Sequence, residues 1–265
     1  MDCFKQLLLD KMNKIYPNKR KPRYTNEYYL DKILLMLNDR VRWISLIDIN
    51  DKKNHHSTIR KKYIQILPIF KSVFNEYIST NYDLGEHMNT DWSIDLLIDG
   101  TSITNKNGSE LVDKNWENWK KKVTKLSVIA DIDRNILGVH LSSPFVSDQK
   151  CINKTFDSMP NKIKKQIKNN FIKVNLIADK GYIRKQTKKD KLEKKGIYLL
   201  TPYRKNQKKK FTDEERIKYK FRIRVESSIA HLKYYNRICI RRDKKESTYM
   251  GFVYLGLLSR IYEKI

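Results

Sequence analysis

The chain has 265 residues, of which 40% are hydrophobic, so it can bury the core of one large domain and of a smaller second one. Its 56 Lys and Arg residues against 30 Asp and Glu residues give a net charge of +26, which favours a polyanionic partner. No apolar run is long enough to span a bilayer, which argues against a membrane protein. The three cysteines form no CxxC pair, which argues against a disulfide scaffold and a zinc finger.

The N-terminal part of the chain is predicted to be helical. Residues 25–39 repeat apolar side chains at helical spacing, and Thr25 is the expected N-cap. A second helix is predicted from Ser57, and Pro68 should break or kink it. Two helices across the polar loop at 48–56 are typical of a helix-turn-helix-like unit and equally of an ordinary helical hairpin.

After a turn-rich stretch at 81–91 the pattern changes to α/β. Short apolar segments bounded by turn residues predict five strands, at 94–100, 123–133, 136–143, 171–181 and 197–202. Helices are predicted at 149–170, 184–195 and 212–236 and in the apolar tail. This order is that of the RNase H-like fold, a mixed five-stranded sheet flanked by helices. The chain is therefore expected to carry a small all-α domain at 1–85 and an α/β domain at 90–265.

Two acidic residues lie at the ends of predicted buried strands. Asp99 closes the segment IDLLID, and Asp179 closes NLIAD. The carboxyl ends of strands are where sites gather in α/β proteins. Asp is also common in turns, so either residue alone is weak evidence of a site.

The segment 219–233 carries the most specific pattern. On one continuous helix, Tyr219, Arg222, Glu226 and Lys233 would share a face within an arc of roughly 60°. A neighbouring apolar arc would seat that helix on a sheet. The alternative is a solvated salt-bridge ladder built on the i, i+4 pair of Arg222 and Glu226.

The spacing Tyr-x2-Arg-x3-Glu-x6-Lys resembles the signature of a large group of bacterial insertion-sequence transposases with a DDE site. The chain is similar to that group also at 98–101 (Ile-Asp-Gly-Thr) and at 178–182 (Ala-Asp-Lys-Gly-Tyr). The resemblance implies that Asp99, Asp179 and Glu226 are catalytic and hold two Mg²⁺ ions, for which Mn²⁺ can substitute. Hard cations prefer such carboxylate oxygens. It further implies that residues 1–85 form the DNA-binding domain and residues 90–265 the catalytic domain. The implied reaction is cleavage of element-end DNA, and then attack of the freed 3′-OH on target DNA.

The basic residues around the three acids are expected to bind DNA. The predicted DNA or phosphate contacts are Tyr219, Arg222, Lys233, Lys180, Arg184 and Arg224. An AT-rich genome also enriches Lys, and such bias explains part of the charge but not its clustering near the acids. Asp148 resembles a family position near the site. Asp131 and Asp133 at a hairpin turn are interpreted as structural. Trp92 is interpreted as a core residue, with stacking on a DNA base as the alternative.

Three other functions stay open at this point. A nuclease of the same fold would cut DNA without joining it. A domesticated DNA-binding protein would have lost catalysis, which the complete set of acids argues against. A basic RNA-binding protein would explain the charge but not the acids. The resemblance implies double-stranded DNA as the partner, a homodimer when two element ends are held together, and no membrane. We expect a cytoplasmic protein, or a nuclear one in a eukaryotic host.

Overall fold

The computed structural model describes residues 2–18, 24–39, 41–46, 56–114, 122–169, 172–183, 186–203 and 211–263. The chain forms two compact units. We call the first the helical unit; it contains Met1–Phe74, Thr104–Glu110 and Leu232–Ile265. We call the second the sheet unit; it contains Asn75–Ile103 and Leu111–His231. The linear division into functional domains at 1–85 and 90–265 stays a prediction.

The helical unit is built from helices near both ends of the sequence. They are α1 (Asp2–Ile15), α2 (Asn26–Asn38), the first part of α3 (His56–Asn81), α9 (Asn236–Cys239) and α10 (Glu246–Glu263). The predicted helix at 25–39 is confirmed as α2, and the Thr25 side chain caps it by accepting a hydrogen bond from the backbone N–H of Tyr28 at 3.2 Å. The predicted apolar tail helix is confirmed as α10. The loop at 48–56 lies outside the described residues except for His56, so the helix-turn-helix-like geometry stays a prediction.

An aromatic core joins α3 to α10 in the helical unit. The rings of Tyr63 and Phe252 stack with their centroids 4.5 Å apart, and both side chains are fully buried. The Tyr63 hydroxyl donates to the carbonyl of Thr248 at 2.7 Å, so the buried phenol is satisfied. Burial raises the pKa of Tyr63 well above its usual value. The N-terminal helices therefore complete their core with side chains from α10.

Pro68 does not break α3, which continues through it from His56 to Asn81, so that part of the prediction is wrong and the kink stays a prediction. A proline within a helix costs about 3 kcal/mol or more. Ile66, Ile69 and Phe70, on the turns around it, are all buried. Burying each such side chain contributes about 1.5–3 kcal/mol, so packing outweighs the cost of the proline.

The sheet unit contains the five predicted strands and one short additional strand. They are β1 (Ser93–Asn105), β2 (Asp113–Lys114), β3 (Lys122–Asp131), β4 (Ile136–Ser142), β5 (Lys173–Ala178) and β6 (Ile197–Leu200). The five main strands lie in the order β4-β3-β1-β5-β6. β3 and β4 form an antiparallel hairpin, whereas β5 is parallel to both β1 and β6. This is the mixed sheet of the RNase H-like fold, as predicted. In the helical unit the last two residues of β1 pair with β7 (Ile240–Arg241).

Two predicted helices are each divided in the structure. The stretch 149–170 forms α4 (Asp148–Asp157) and α5 (Asn161–Asn169), because Pro160 disfavours helical backbone at the residue before it. The predicted helix at 184–195 is present as α6 (Gln186–Glu193). The stretch 212–236 forms α7 (Asp213–Lys220) and α8 (Ile223–Tyr234).

Short-range hydrogen bonds accompany the break between α7 and α8. The N–H groups of Phe221, Arg222, Arg224 and Val225 each donate to the carbonyl three residues earlier, at 2.8–3.2 Å. Such i to i−3 bonds wind the chain more tightly than an α-helix does. The expectation of a single helical stripe from Tyr219 to Lys233 is therefore wrong. Tyr219 lies near the end of α7, Arg222 in the turn, and Glu226 and Lys233 on α8.

Candidate active site

Two of the predicted acids occupy neighbouring positions where the pairing of β1 with β5 ends. Ile98 of β1 is paired with Ala178 of β5 in parallel register. Asp99 and Asp179 directly follow these residues, so the parallel pairing brings the two to neighbouring positions. Asp179 follows the last residue of β5, as predicted, but β1 continues past Asp99 to Asn105, so the prediction that Asp99 closes its strand is wrong. The backbone N–H of Gly100 donates to Asp99 Oδ1 at 2.8 Å and orients that carboxylate.

The third acid is held on α8 by an ion pair. Glu226 Oε1 lies 2.6 Å from Arg222 Nη1, and the glutamate side chain is 46% exposed. The guanidinium of Arg222 also lies 5.9 Å from the centre of the Tyr219 ring. The turn between α7 and α8 thus preserves the Arg222–Glu226 contact although the helix is divided.

The three acids are coupled electrostatically. Burial raises the pKa of Asp99, and the carboxylates of Glu226 and Asp179 raise it further, while the Gly100 N–H and the Arg222 guanidinium lower it. Burial alone would lower the pKa of Arg222, but Glu226 and Asp179 help to hold it above its usual value. Carboxylates that repel one another in this way are a fitting donor set for a hard divalent cation.

The three carboxylates do not form the most compact group of metal-ligating atoms. Among the described residues, the group whose ligand atoms all lie within 4.8 Å of one another is His87, Asp131 and Asp133. A pair of ions about 3.5–4 Å apart is held by ligands spread over a wider span than a single ion needs. The convergence of Asp99, Asp179 and Glu226 on shared ions stays a prediction.

The compact group at Asp131 is explained by the β3–β4 turn. The buried Asp131 carboxylate accepts hydrogen bonds from the N–H groups of Asp133 and Asn135 and from the Asn135 amide, at 2.8–2.9 Å. His87 Nδ1 lies 3.2 Å from Asp133 Oδ2. Burial raises the pKa of Asp131, and its bonds to Asn135 offset part of that increase. These contacts support the structural interpretation of both acids, whereas no sequence signal connected His87 with the turn.

A fourth acid, Asp148, packs against the glycines that follow the two aspartates, Gly100 after Asp99 and Gly181 after Asp179. Its Oδ1 accepts from Lys125 Nζ at 2.9 Å. A Cβ added to Gly181 would lie 2.7 Å from Asp148 Oδ2, and one added to Gly100 would lie 3.5 Å from Asp148 Oδ1. The buried Tyr182 hydroxyl lies 3.5 Å from that same Gly100 position. Gly181 therefore leaves room that the Asp148 side chain occupies, whereas a Cβ at Gly100 would make only ordinary van der Waals contact.

The predicted phosphate contacts differ in how they are placed. Lys180 is exposed directly after Asp179. Burial raises the pKa of Tyr219, and Arg222 offsets part of that increase. The Nη1 of Arg224 donates to the carbonyl of Ile132 at 2.5 Å, so this guanidinium already has a protein partner. The phosphate role of each stays a prediction.

The remaining predicted positions are less favourable for contact or lie outside the described residues. Lys233 is half-buried on α8, seven residues after Glu226, and burial lowers its pKa. Arg184 lies outside the described residues.

Trp92, predicted to pack in the core, is instead 64% exposed, so that prediction is wrong. Its backbone φ of 55° turns the chain just before β1.

The family described as "Transposase DDE domain" matches residues 93–257, which is more than half of the chain. The chain belongs to the transposase DDE domain family. The matched range runs from the first residue of β1 into α10 and so contains Asp99, Asp179 and Glu226. Membership of the DDE transposase family associates the chain with DNA transposition and recombination by mobile elements.

Two solved structures are distantly similar to this DDE transposase family member. One is that of a pre-cleavage Mos1 transpososome, at 12% identity and a TM-score of 0.29, over 93% of this chain and 81% of that one. The other is Mos1 transposase in a paired-end complex with the left transposon end, at 10% identity and a TM-score of 0.28, over 98% of this chain and 84% of that one. At this level of similarity neither structure supports a function for the chain.

Comparison with curated proteins finds no match. Within the described part of the chain, no helix has the length and apolar character needed to cross a membrane.

Proposed function

We propose that the protein is a transposase that cuts the DNA at the ends of its element and joins the freed 3′-OH to target DNA. We further propose that it belongs to the insertion-sequence group with the Tyr-Arg-Glu-Lys signature. The observation that carries the proposal is the parallel pairing of Ile98 with Ala178, which brings Asp99 and Asp179 together in the electrostatic field of Glu226.

In this proposal Asp99, Asp179 and Glu226 hold two divalent metal ions, Mg²⁺ or Mn²⁺. When bound, such ions supply an activated water molecule and stabilise the leaving oxygen of a phosphodiester. The raised pKa of Asp99 makes protons compete for this carboxylate, so metal affinity should increase as the pH rises.

The residues around the acids would hold the DNA backbone. Arg222 balances the charge of Glu226, and it can exchange that partner for a phosphate. Lys180 is exposed beside Asp179 and can approach a phosphate directly. The phenol of Tyr219 offers a hydrogen-bond donor next to Arg222. Their shared role would be to orient a scissile phosphate at the three acids.

Cleavage of the element's own terminal repeats tests the catalytic part. The protein is incubated with labelled repeat DNA and Mg²⁺, beside the variant Glu226→Gln, which keeps the size of the side chain but removes its charge. We expect nicking by the native chain and a loss of roughly 10³-fold or more in the variant. Equal cleavage by both proteins would refute the assignment of Glu226.

Strand transfer distinguishes a transposase from a nuclease of the same fold, whose acidic site would be identical. Pre-cleaved ends with a free 3′-OH are mixed with a supercoiled target plasmid. Joined products with short target duplications support the transposase, whereas cleavage without joined products supports the nuclease.

We expect two copies of the chain on a pair of ends, which light scattering of the DNA complex would measure.

A further inference from the structure

A basic cavity lies in the helical unit, which contains none of the three acids. It has a volume of about 780 Å³, and all of its lining residues belong to that unit. Those residues are Arg42, Trp43, Ile44, His56, Arg60, Lys106, Asn107, Arg237 and Arg242. Of these nine described residues five are Arg or Lys, and none of the nine is acidic. Small-molecule pockets are mostly apolar with few polar groups, so this lining is more typical of a polyanion site.

The cations of the cavity come from three separate stretches of chain. Arg42 and Arg60 come from the N-terminal part, Lys106 from the turn after β1, and Arg237 and Arg242 from the segment after α8. Across the described residues, Arg42, Arg60, Lys106 and Arg242 form no ion pair. Like charges gathered around one space without acidic partners repel one another. A bound polyanion would relieve that repulsion.

Arg237 places a buried guanidinium at the wall of the cavity. Its side chain is only 4% exposed, and its Nη2 pairs with Asp243 at 2.9 Å. Its Nε, however, has no hydrogen-bond partner within the described part of the chain. A buried guanidinium N–H without an acceptor costs about 1–3 kcal/mol or more, so this arginine is held beside the cavity at an energetic cost. The guanidinium lies over the rings of Trp43 and Phe252, at 5.8 and 5.0 Å, which fixes its position.

We infer that this cavity is a binding site for the phosphodiester backbone of duplex DNA. The inference rests on the proposed function, which makes duplex DNA the polyanion that the protein meets. Phosphate contacts from Arg and Lys fix the position of a protein on DNA without reading its sequence. The site is composite, because residues 1–85 alone would lack Lys106, Arg237 and Arg242.

The salt dependence of DNA binding tests this inference. Fluorescence anisotropy measures the affinity of the full chain for a labelled duplex over a series of salt concentrations, with EDTA present so that no cleavage occurs. Each phosphate contact contributes about 0.9 to the slope of log K against log salt. The triple variant Arg42→Ala, Arg60→Ala, Arg242→Ala should therefore lose about 2.7 from the magnitude of the slope.

A matched control separates these contacts from a general loss of charge. The triple variant Lys14→Ala, Lys61→Ala, Lys71→Ala removes the same charge from exposed positions of the helical unit that do not line the cavity. Its slope should change by less than about 1. A third variant, with lysine in place of the three arginines, should keep most of the native slope, and thermal melting checks that all three variants fold.

Equal slopes for the alanine and control variants would overturn the inference, as would tighter binding of duplex RNA than of duplex DNA. Since binding is measured without metal, these outcomes are independent of the cleavage test. A chain that binds DNA through the cavity but never cleaves it would contradict the proposed function but not the assignment of this binding site.

Discussion

Replacing Arg224 with alanine should destabilise the sheet unit rather than weaken DNA binding. Arg224 Nη1 donates to the carbonyl of Ile132 at 2.5 Å, its guanidinium lies 4.7 Å from the centre of the Phe221 ring, and Asp133 Oδ1 is 4.0 Å away. One turn later on α8, the Ser228 hydroxyl donates to another carbonyl of the same β3–β4 turn at 3.2 Å. Arg224 therefore ties the start of α8, and with it Glu226, to the hairpin.

The size of the effect follows from these contacts. A hydrogen bond from a charged donor contributes about 1.5–3 kcal/mol. The cation–π contact adds about 0.5–1 kcal/mol, and the longer contact with Asp133 adds little because both side chains are partly exposed. We expect Arg224→Ala to lower the free energy of unfolding by about 2–3 kcal/mol. With an m-value of about 3 kcal/mol/M, the urea midpoint should fall by about 0.7–1 M.

Urea unfolding followed by circular dichroism measures this shift, and Arg216→Ala is the matched control. Arg216 pairs with Asp213 at 3.5 Å, with the two side chains 63% and 94% exposed, so its loss should cost less than about 0.5 kcal/mol. The sequence instead predicted Arg224 to contact phosphate. If the urea midpoint is unchanged while the salt slope of DNA binding falls by about 0.9, the phosphate role is right and the anchoring role is wrong.

Three further substitutions test the surroundings of the acids. Without metal, Asp99→Asn should raise the melting temperature at neutral pH, because the raised pKa of Asp99 means that its ionised form destabilises the folded chain. The difference in melting temperature between variant and native chain should shrink as the pH falls through that pKa. A difference that is the same from acidic to neutral pH would contradict this. Gly181→Ala should reduce cleavage without unfolding the chain, since its Cβ would lie 2.7 Å from Asp148 Oδ2; unchanged turnover would show that the carboxylate moves freely. Asp148→Asn weakens the pair with Lys125 and should cost about 1–3 kcal/mol in urea, and an unaltered midpoint would exclude a stabilising pair.

Local patterns in the sequence were sufficient to predict the strands and the neighbouring positions of two acids. Apolar runs bounded by turns identified all five main strands, and their order is enough to bring Asp99 and Asp179 to neighbouring positions once β1 and β5 pair. The Thr25 cap was predictable for the same reason, since an N-cap depends on a few adjacent residues. Features of this kind need no knowledge of distant contacts.

Features that depend on tertiary contacts were not predictable. Ideal helical geometry predicted that Tyr219 and Glu226 lie on one helix, whereas the i to i−3 hydrogen bonds at Phe221 and Arg222 divide that helix. The local sequence alone predicted that Pro68 would break or kink the helix, but burial of the side chains around it keeps α3 unbroken. The position of Asp148 against two glycines, and the basic cavity, likewise join residues that are far apart in the sequence.

The packing of α10 into the helical unit has a consequence for synthesis. The rings of Tyr63 and Phe252 come from distant parts of the sequence, yet they stack in one core, and α1 and α2 also contact α10. On the ribosome the N-terminal helices emerge long before their partner does. Until α10 is released they would expose apolar surface that the folded chain buries. A nascent or prematurely terminated chain should therefore be a substrate for chaperones or proteases rather than a working DNA-binding fragment, so that only chains that include α10 acquire the composite basic cavity.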